Sequence, residues 1–248
     1  MKNILIAGGD GFIGKHVAAV LDNLDAGLYE IADLKRGIDV CDIKDTSAYD
    51  VIILLAANLG HDMDMFQDNL AIYRWAVRQS AHIIYTSSAA VYADLADDLT
   101  PHKETDPTPA PTIYGRSKLL GEQIISQGCE RRTILRLGNV YGDGDGNGAI
   151  DIFKRGGTKI YGDGSDIRDY VSVKIVANAI KDIALNPAKY NKEIFNISSN
   201  QPMTTRAAFA SFSKEPYTPE FVPARGFDVK ASILNNRKAF DAGLIHEN

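Results

Sequence analysis

Three side chains near the middle of the chain have the types and spacing of a proton-transfer set. Tyr114 and Lys118 lie four residues apart in a helical stretch, so they project from one face, a turn from each other. A free phenol titrates near pH ~10, too high for an efficient base at neutrality. A neighbouring ammonium, joined by the positive ring of a nicotinamide, stabilises the phenolate and lowers that value. Lys118 is also placed to hold the nicotinamide ribose. Ser88, at the end of a predicted strand, can share a substrate oxygen with Tyr114. Such a set suits hydride transfer at a carbinol carbon, with tyrosine moving the proton and a dinucleotide the hydride. The Tyr–Lys spacing also arises by chance on surface helices, so it has meaning only beside a cofactor site.

The N-terminus supplies one. The apolar run Ile4-Leu5-Ile6-Ala7 leads into Gly8, Gly11 and Gly14, spaced three apart, and then into a helical pattern through Val17, Val20 and Leu21. This reads as strand, tight turn and helix, the geometry that brings backbone amides and a helix N-terminus against a pyrophosphate. A phosphate loop of the nucleoside-triphosphatase kind competes for the same residues, since Gly9, Gly14 and Lys15 fit it. That motif requires a Ser or Thr hydroxyl for Mg²⁺ at the next position, where this chain has His16. A turn and helix with no ligand is the plain alternative. The second predicted strand, Leu28 to Asp33, ends on an acid about 20 residues beyond the glycines, where a carboxylate accepts hydrogen bonds from ribose hydroxyls and repels a 2′-phosphate. Asp33 thus favours NAD over NADP, although Lys35 and Arg36 follow closely and could attract the extra phosphate.

Around these residues the pattern alternates. Gly37 to Ile43 reads as a short strand, and the continuous apolar run from Tyr49 to Ala57 as a strand buried on both faces. A helix is expected over about Met63 to Gln79, with Phe66, Leu70, Tyr73 and Val77 on its apolar stripe. Another strand spans Ala81 to Ser88, followed by a long loop marked by Pro101, Pro107, Pro109 and Pro111. A helix from about Tyr114 to Gln127 and a strand from Arg132 to Leu137 complete the rhythm of a doubly wound parallel sheet. From Gly142 to Gly148 glycines interrupt the texture, and shorter elements follow. Residues 1–141, with about 172–190, are expected to form the cofactor domain; about 142–171 and 191–248 form a small second lobe.

Composition narrows the function classes. The 248 residues carry a formal charge of −5, without the basic excess of a nucleic-acid-binding surface. Cys41 and Cys129 have no metal-ligand spacing, so no metal site and no disulfide framework is expected. No stretch is long enough for a membrane span and the N-terminal apolar run is too short for a signal peptide, which makes the cytoplasm the expected location.

Taken together, the ordered motifs resemble the extended short-chain dehydrogenase/reductase family, specifically its NAD-dependent nucleotide-sugar epimerase/dehydratase group. The resemblance rests on Gly8-Gly9-Asp10-Gly11-Phe12-Ile13-Gly14, Leu54-Leu55-Ala56-Ala57, Tyr85-Thr86-Ser87-Ser88-Ala89-Ala90-Val91-Tyr92, Tyr114-Gly115-Arg116-Ser117-Lys118 and Leu135 to Gly142. In the second half, Ile160 to Gly164 and Arg168 to Val173 continue it. It implies a Rossmann-type α/β fold with a small C-terminal substrate-binding lobe, NAD as cofactor, and a nucleotide-diphosphate sugar as substrate. By the same resemblance Gly8, Gly11, Phe12, Ile13, Gly14 and Asp33 hold the cofactor. Asp42 and Ile43 read its adenine, while Leu55, Ala56 and Ala57 line it. Asn69 resembles the asparagine at the start of the following helix. Ser88, Tyr114 and Lys118 match the catalytic serine, tyrosine and lysine, and Asn139, Arg168 and Arg225 stand where relatives hold the diphosphate, as an arginine's planar fork suits.

Departures sharpen the expectation. The dehydratases of this group carry an acidic pair after the residue matching Ser88; Ala89 and Ala90 stand there, so water elimination is not expected. Cys129 is poorly placed for extra acid/base work, and His61 and His102 read as solvated loop histidines. The expected activity is 4-epimerisation by reversible hydride transfer, with an NAD(P)H-dependent 4-keto reductase as the alternative and a non-catalytic NAD-binding sensor as a third reading. The resemblance also implies a homodimer, paired through the helices near Met63–Gln79 and Tyr114–Gln127, and Ile72 and Trp75 beside Phe66 and Tyr73 are consistent with an extra buried side.

Overall fold

The computed structural model describes residues 3–24, 28–60, 62–95, 98–144, 146, 148–213, 218–226 and 228–246. Its centre is a six-stranded parallel sheet in the order β2-β1-β3-β4-β5-β9. In chain order the first half runs β1 (Ile4–Ala7), α1 (Phe12–Asp22), β2 (Tyr29–Ala32), β3 (Val51–Leu54), α2 (Met63–Ala76), β4 (His82–Ser88), α3 (Ile113–Gly128) and β5 (Arg132–Leu137). The second half adds β6 (Asn139–Tyr141), α4 (Ala149–Lys154), β7 (Lys159–Tyr161), β8 (Ile167–Ser172), α5 (Val173–Leu185), β9 (Glu193–Ile197), β10 (Pro202–Thr204), α6 (Thr205–Phe212), β11 (Glu220–Val222), β12 (Ala231–Ser232) and α7 (Arg237–Asp241).

The strand pleat divides the core in two. Ile4, Ile6, Val51 and Ile53 point to a layer formed with Val17 and Leu21 of α1 and Val176, Ile180 and Ile183 of α5. Their neighbours Leu5, Ala7, Ile52 and Leu54 point the opposite way, onto Tyr73, Trp75 and Ile125 of α2 and α3. Successive side chains of a strand face opposite sides, so unbroken apolar runs feed both layers at once. The result is the doubly wound arrangement that the alternating pattern predicts. The chain leaves β1 toward β2 on one side and returns to β3 on the other. A crevice therefore opens at the carboxyl ends of β1 and β3, where strand order reverses.

Several local expectations are corrected. Residues 37–43 form no strand: two 3-10 turns, Leu34–Arg36 and Val40–Asp42, replace both strand and crossover helix, each opened by an aspartate side chain accepting a backbone N–H. Residues 193–197, grouped with the second lobe, instead pair in parallel with β5 as the sixth strand of the main sheet. Ala239 of α7, with Leu244 and Ile245, also returns to the α1/α5 core. The stripe of α2 is rotated, with Met65, Asn69, Tyr73 and Ala76 buried while Phe66 and Leu70 are half-exposed. Tyr73 and Trp75 are consumed by the chain's own core, and Trp75 donates its indole N–H to the Ile43 carbonyl at 2.9 Å. They therefore contribute no extra apolar face for a second subunit.

The remaining residues build a lobe around β8, which pairs with β6, β10 and β12. Ile150, Phe153, Ile160, Tyr170, Ala208 and Phe209 form its separate core. Among the described residues no helix is long and apolar enough to cross a membrane, and no group of His, Cys, Asp and Glu could hold a metal ion.

Candidate active site

At the crevice, the glycine turn is shaped by close backbone approach. Gly8 has φ +87°, and a β-carbon there would stand 2.6 Å from the Ala56 nitrogen; one at Gly14 would stand 2.5 Å from the Gly8 carbonyl oxygen. Neither position accepts a side chain. Gly11 caps α1 with no side-chain hydrogen bond, leaving the amides of its first turn for another acceptor. Phe12 and Ile13 begin that turn, and Ile13 packs on the α1/α5 core. Leu55 and Ala56 each donate their N–H to the Ala7 carbonyl, so the strip running to Ala57 leaves β3 directly across from Gly8. A side-chain-free cradle, uncapped helix amides and an apolar strip fit a dinucleotide's pyrophosphate and nicotinamide half.

The loop after β2, where the resemblance expects the adenosine, is more elaborate than its sequence suggests. Asp33 follows β2 and accepts two backbone N–H bonds at 2.9 Å, from Asp10 and from Lys35. Arg36 reaches back to the Asp10 carboxylate through Nε at 2.6 Å and Nη2 at 2.9 Å, and Lys35 Nζ donates to the Asp10 carbonyl at 3.0 Å. The Arg36 guanidinium holds the Asp10 carboxyl below the usual carboxylate range. Asp42 is exposed at the end of its 3-10 turn, with Ile43 half-buried beside it. Asn69 lies well inside α2 rather than at its start, and is buried. Its side chain accepts from the Asn58 N–H at 2.8 Å and donates to the Asn58 carbonyl and to Ser117 Oγ. It therefore fixes the loop that continues the Leu55–Ala57 strip.

Ser88, Tyr114 and Lys118 come together where β4 meets α3. Ser88 is the last residue of β4, and its Oγ accepts the Ala90 N–H, turning the chain into the 3-10 turn Ala89–Val91. Thr112 caps α3 by accepting the Gly115 N–H at 2.9 Å. Gly115 lets α3 lie directly on the Ala90 carbonyl, which a β-carbon would strike, and this contact brings Tyr114 to Ser88. Lys118 is buried; its Nζ donates to the Thr86 carbonyl at 3.0 Å and stands 5.9 Å from the Tyr114 ring centroid. Burial pushes the Tyr114 phenol up to about 12, with the hydrogen bond to Ser88 acting the other way. In the chain alone desolvation is the largest cause, and the lowering expected of the site depends on the added positive charge of the nicotinamide ring. Burial likewise pushes Lys118 down to about 8, opposed by Glu122 one turn further along α3.

The pocket beside this set holds about 290 Å³, and its walls include Ser88, Tyr114, Asn139, Arg168 and Arg225. Arg168 leans on the Ile167 carbonyl at 2.9 Å, with Asp166 at 3.9 Å. Arg225 lies 4.3 Å over the Tyr161 ring and pairs with Asp228 through two bonds of 2.8 and 3.0 Å. Asp228, which sequence reasoning passed over, thus pairs with the arginine that lies over the ring. A second missed group lies beneath. Glu122 pairs with Arg136 at 2.7 Å, both buried, and accepts from Ser87 Oγ at 2.5 Å; Arg136 also donates to Tyr92, which donates to Asn196. Only the burial of both charges marks this network, and sequence spacing carries no sign of it. His102 is not solvated: it is buried and stacked 4.6 Å from Tyr92. His61 lies outside the described residues.

Known proteins resemble the chain over most of its length. The chain is 25% identical over 309 residues to a UDP-glucose 4-epimerase of Yersinia pestis, covering 95% of this chain and 90% of that one. A dTDP-L-rhamnose 4-epimerase of Burkholderia thailandensis is 28% identical over 283 residues, covering 81% and 77%. The fold superposes with a TM-score of 0.77 on a crystal structure of the Thermotoga maritima UDP-glucose 4-epimerase with UDP-glucose, at 24% identity and over 97% and 92% of the two chains. Residues 4–198 match the NAD dependent epimerase/dehydratase family. With the glycine cradle and the parallel sheet in place, the chain belongs to that family, as an NAD-dependent enzyme of the extended short-chain dehydrogenase/reductase type.

Proposed function

We propose that this enzyme is a nucleotide-sugar 4-epimerase whose proton-transfer set is Ser88, Tyr114 and Lys118. The observation that carries the reading is that Ser88 and Tyr114 share one pocket wall with Asn139, Arg168 and Arg225. The pocket thus pairs a proton-transfer group with cationic forks for a diphosphate. Bound at the glycine turn, NAD supplies the acceptor and donor of hydride. Within the pocket the Tyr114 oxygen takes the proton from a sugar hydroxyl as the carbinol is oxidised, and returns it when the ketone is reduced on its other face. Ser88 shares that oxygen and orients it. Lys118, whose value near 8 leaves it an ammonium at neutral pH, holds the ribose side and balances the phenolate. Arg168 and Arg225 anchor the diphosphate so that the sugar can turn.

The test supplies UDP-glucose, UDP-N-acetylglucosamine and their 4-keto-6-deoxy relatives with NAD or NADH. Interconversion of C4 epimers under catalytic NAD, with no net change of the reduced-nicotinamide absorbance at about 340 nm, is expected. Stoichiometric loss of that absorbance with a 4-keto substrate would make the enzyme a reductase instead. Binding of NAD without turnover of any of these sugars would count for the sensor reading.

A further inference from the structure

Within the glycine turn, Asp10 is required neither by the turn geometry nor by the packing of α1. It places a carboxylate beside a site built for an anion. The structure gives it a partner 26 residues away: the Nε–Nη2 edge of Arg36 engages its two oxygens, at 2.6 and 2.9 Å. Its backbone is engaged too, donating to Asp33 and accepting from Lys35. Two acids and two bases at the ends of β1 and β2 are thereby joined through one residue, and their formal charges cancel.

That arrangement bears on a conflict in the sequence. Asp33 suits an unphosphorylated ribose, whereas an arginine just beyond the second strand is a ready partner for a 2′-phosphate. We propose that Asp10 is a specificity-determining residue, which binds the fork of Arg36, withholds it from a 2′-phosphate and so makes the enzyme select NAD over NADP. The inference rests on the reading that the adenosine ribose lies against Asp33. A 2′-phosphate would have to displace the Nε–Nη2 edge of Arg36 from Asp10, or share a guanidinium that Asp10 already neutralises, and in either case sit beside two carboxylates, while the hydroxyl of NAD disturbs neither. The Arg36 and Asp10 side chains are 48% and 21% exposed, and an ion pair so exposed contributes little to folding. Its removal is therefore read in binding.

The experiment is calorimetric titration of NAD⁺ and NADP⁺ into the full chain at low ionic strength, with thermal melts confirming that each variant folds. The wild type binds NAD⁺ more tightly than NADP⁺. In Asp10→Asn the ratio of the NADP⁺ Kd to the NAD⁺ Kd falls about tenfold, as a freed guanidinium meets a phosphate. In Asp10→Asn/Arg36→Gln the ratio returns toward the wild-type value, and in Arg36→Gln alone it stays near it. An unchanged ratio in Asp10→Asn overturns the proposal. So does a fall that persists in the double variant, since Asp10 would then act by repulsion alone. A loss of NADP⁺ affinity in Arg36→Gln alone, which is read even if Asp10→Asn fails to fold, would show that Arg36 is already free for the phosphate. A wild type that binds neither nucleotide would refute the cofactor reading itself.

Discussion

Lys118 Nζ donates a 3.0 Å hydrogen bond to the carbonyl oxygen of Thr86, tying the buried face of α3 to the strand that ends in Ser88. The bond keeps an ammonium in a site where burial disfavours it, with a pKa near 8 against the ordinary 10.5. Below about pH 8 the lysine is protonated both folded and unfolded, and its burial costs stability in full. Between about 8 and 10.5 the unfolded chain binds more protons, so raising the pH stabilises the fold. Tyr114, with its value pushed up to about 12, works the other way only above about pH 10. Denaturant melts of wild type and Lys118→Met should therefore diverge in favour of the wild type, by up to about 3 kcal/mol from pH 8 to pH 10.5. A difference that stays flat across that range would mean that the site is better hydrated than its burial implies.

Tyr114→Phe removes only the phenolic oxygen. Turnover should fall by about 10²–10⁴-fold, the range for a lost general acid/base. The NAD⁺ Kd from titration calorimetry should change much less, because the ring and the glycine cradle remain. Retained turnover would move the proton-transfer role to another group.

Gly115 offers a test in which two effects predict opposite signs. Alanine is the better helix former by about 1 kcal/mol, so helix propensity alone predicts that Gly115→Ala stabilises. The contact with the Ala90 carbonyl predicts the reverse, a loss of about 1–3 kcal/mol from overpacking, together with reduced activity as Tyr114 is pushed off Ser88. Thermal unfolding decides between them.

The ion pair of Glu122 and Arg136 should be costly to break and cheap to replace. Glu122→Gln leaves a buried guanidinium without its counter-charge, a loss of about 3–5 kcal/mol. The double variant Glu122→Leu/Arg136→Met should recover part of it. Equilibrium denaturation of the two variants checks this, and equal losses in both would mean that the network is held by its other hydrogen bonds.

The sequence by itself determined much of this enzyme's architecture, because the signals are local. Unbroken apolar runs make strands buried on both faces, three glycines after the first of them force a turn that only backbone can fill, and a four-residue spacing sets Tyr114 above Lys118 on one helix face. Family and cofactor follow from those stretches in that order. Tertiary structure decided what depends on partners distant in sequence. Residues 193–197 read as part of a small lobe because a strand's sheet is chosen by its neighbour β5, not by its own composition. The α2 stripe rotated because Trp75 found the Ile43 carbonyl, and Asn69 became a brace because Asn58 and Ser117 surround it. The direction of the Tyr114 shift was set by desolvation, a property of the whole packed site rather than of its nearest charge. Likewise Asp10 and Arg36, 26 residues apart, are two unrelated charges in the sequence and become one unit only when β1 and β2 lie side by side.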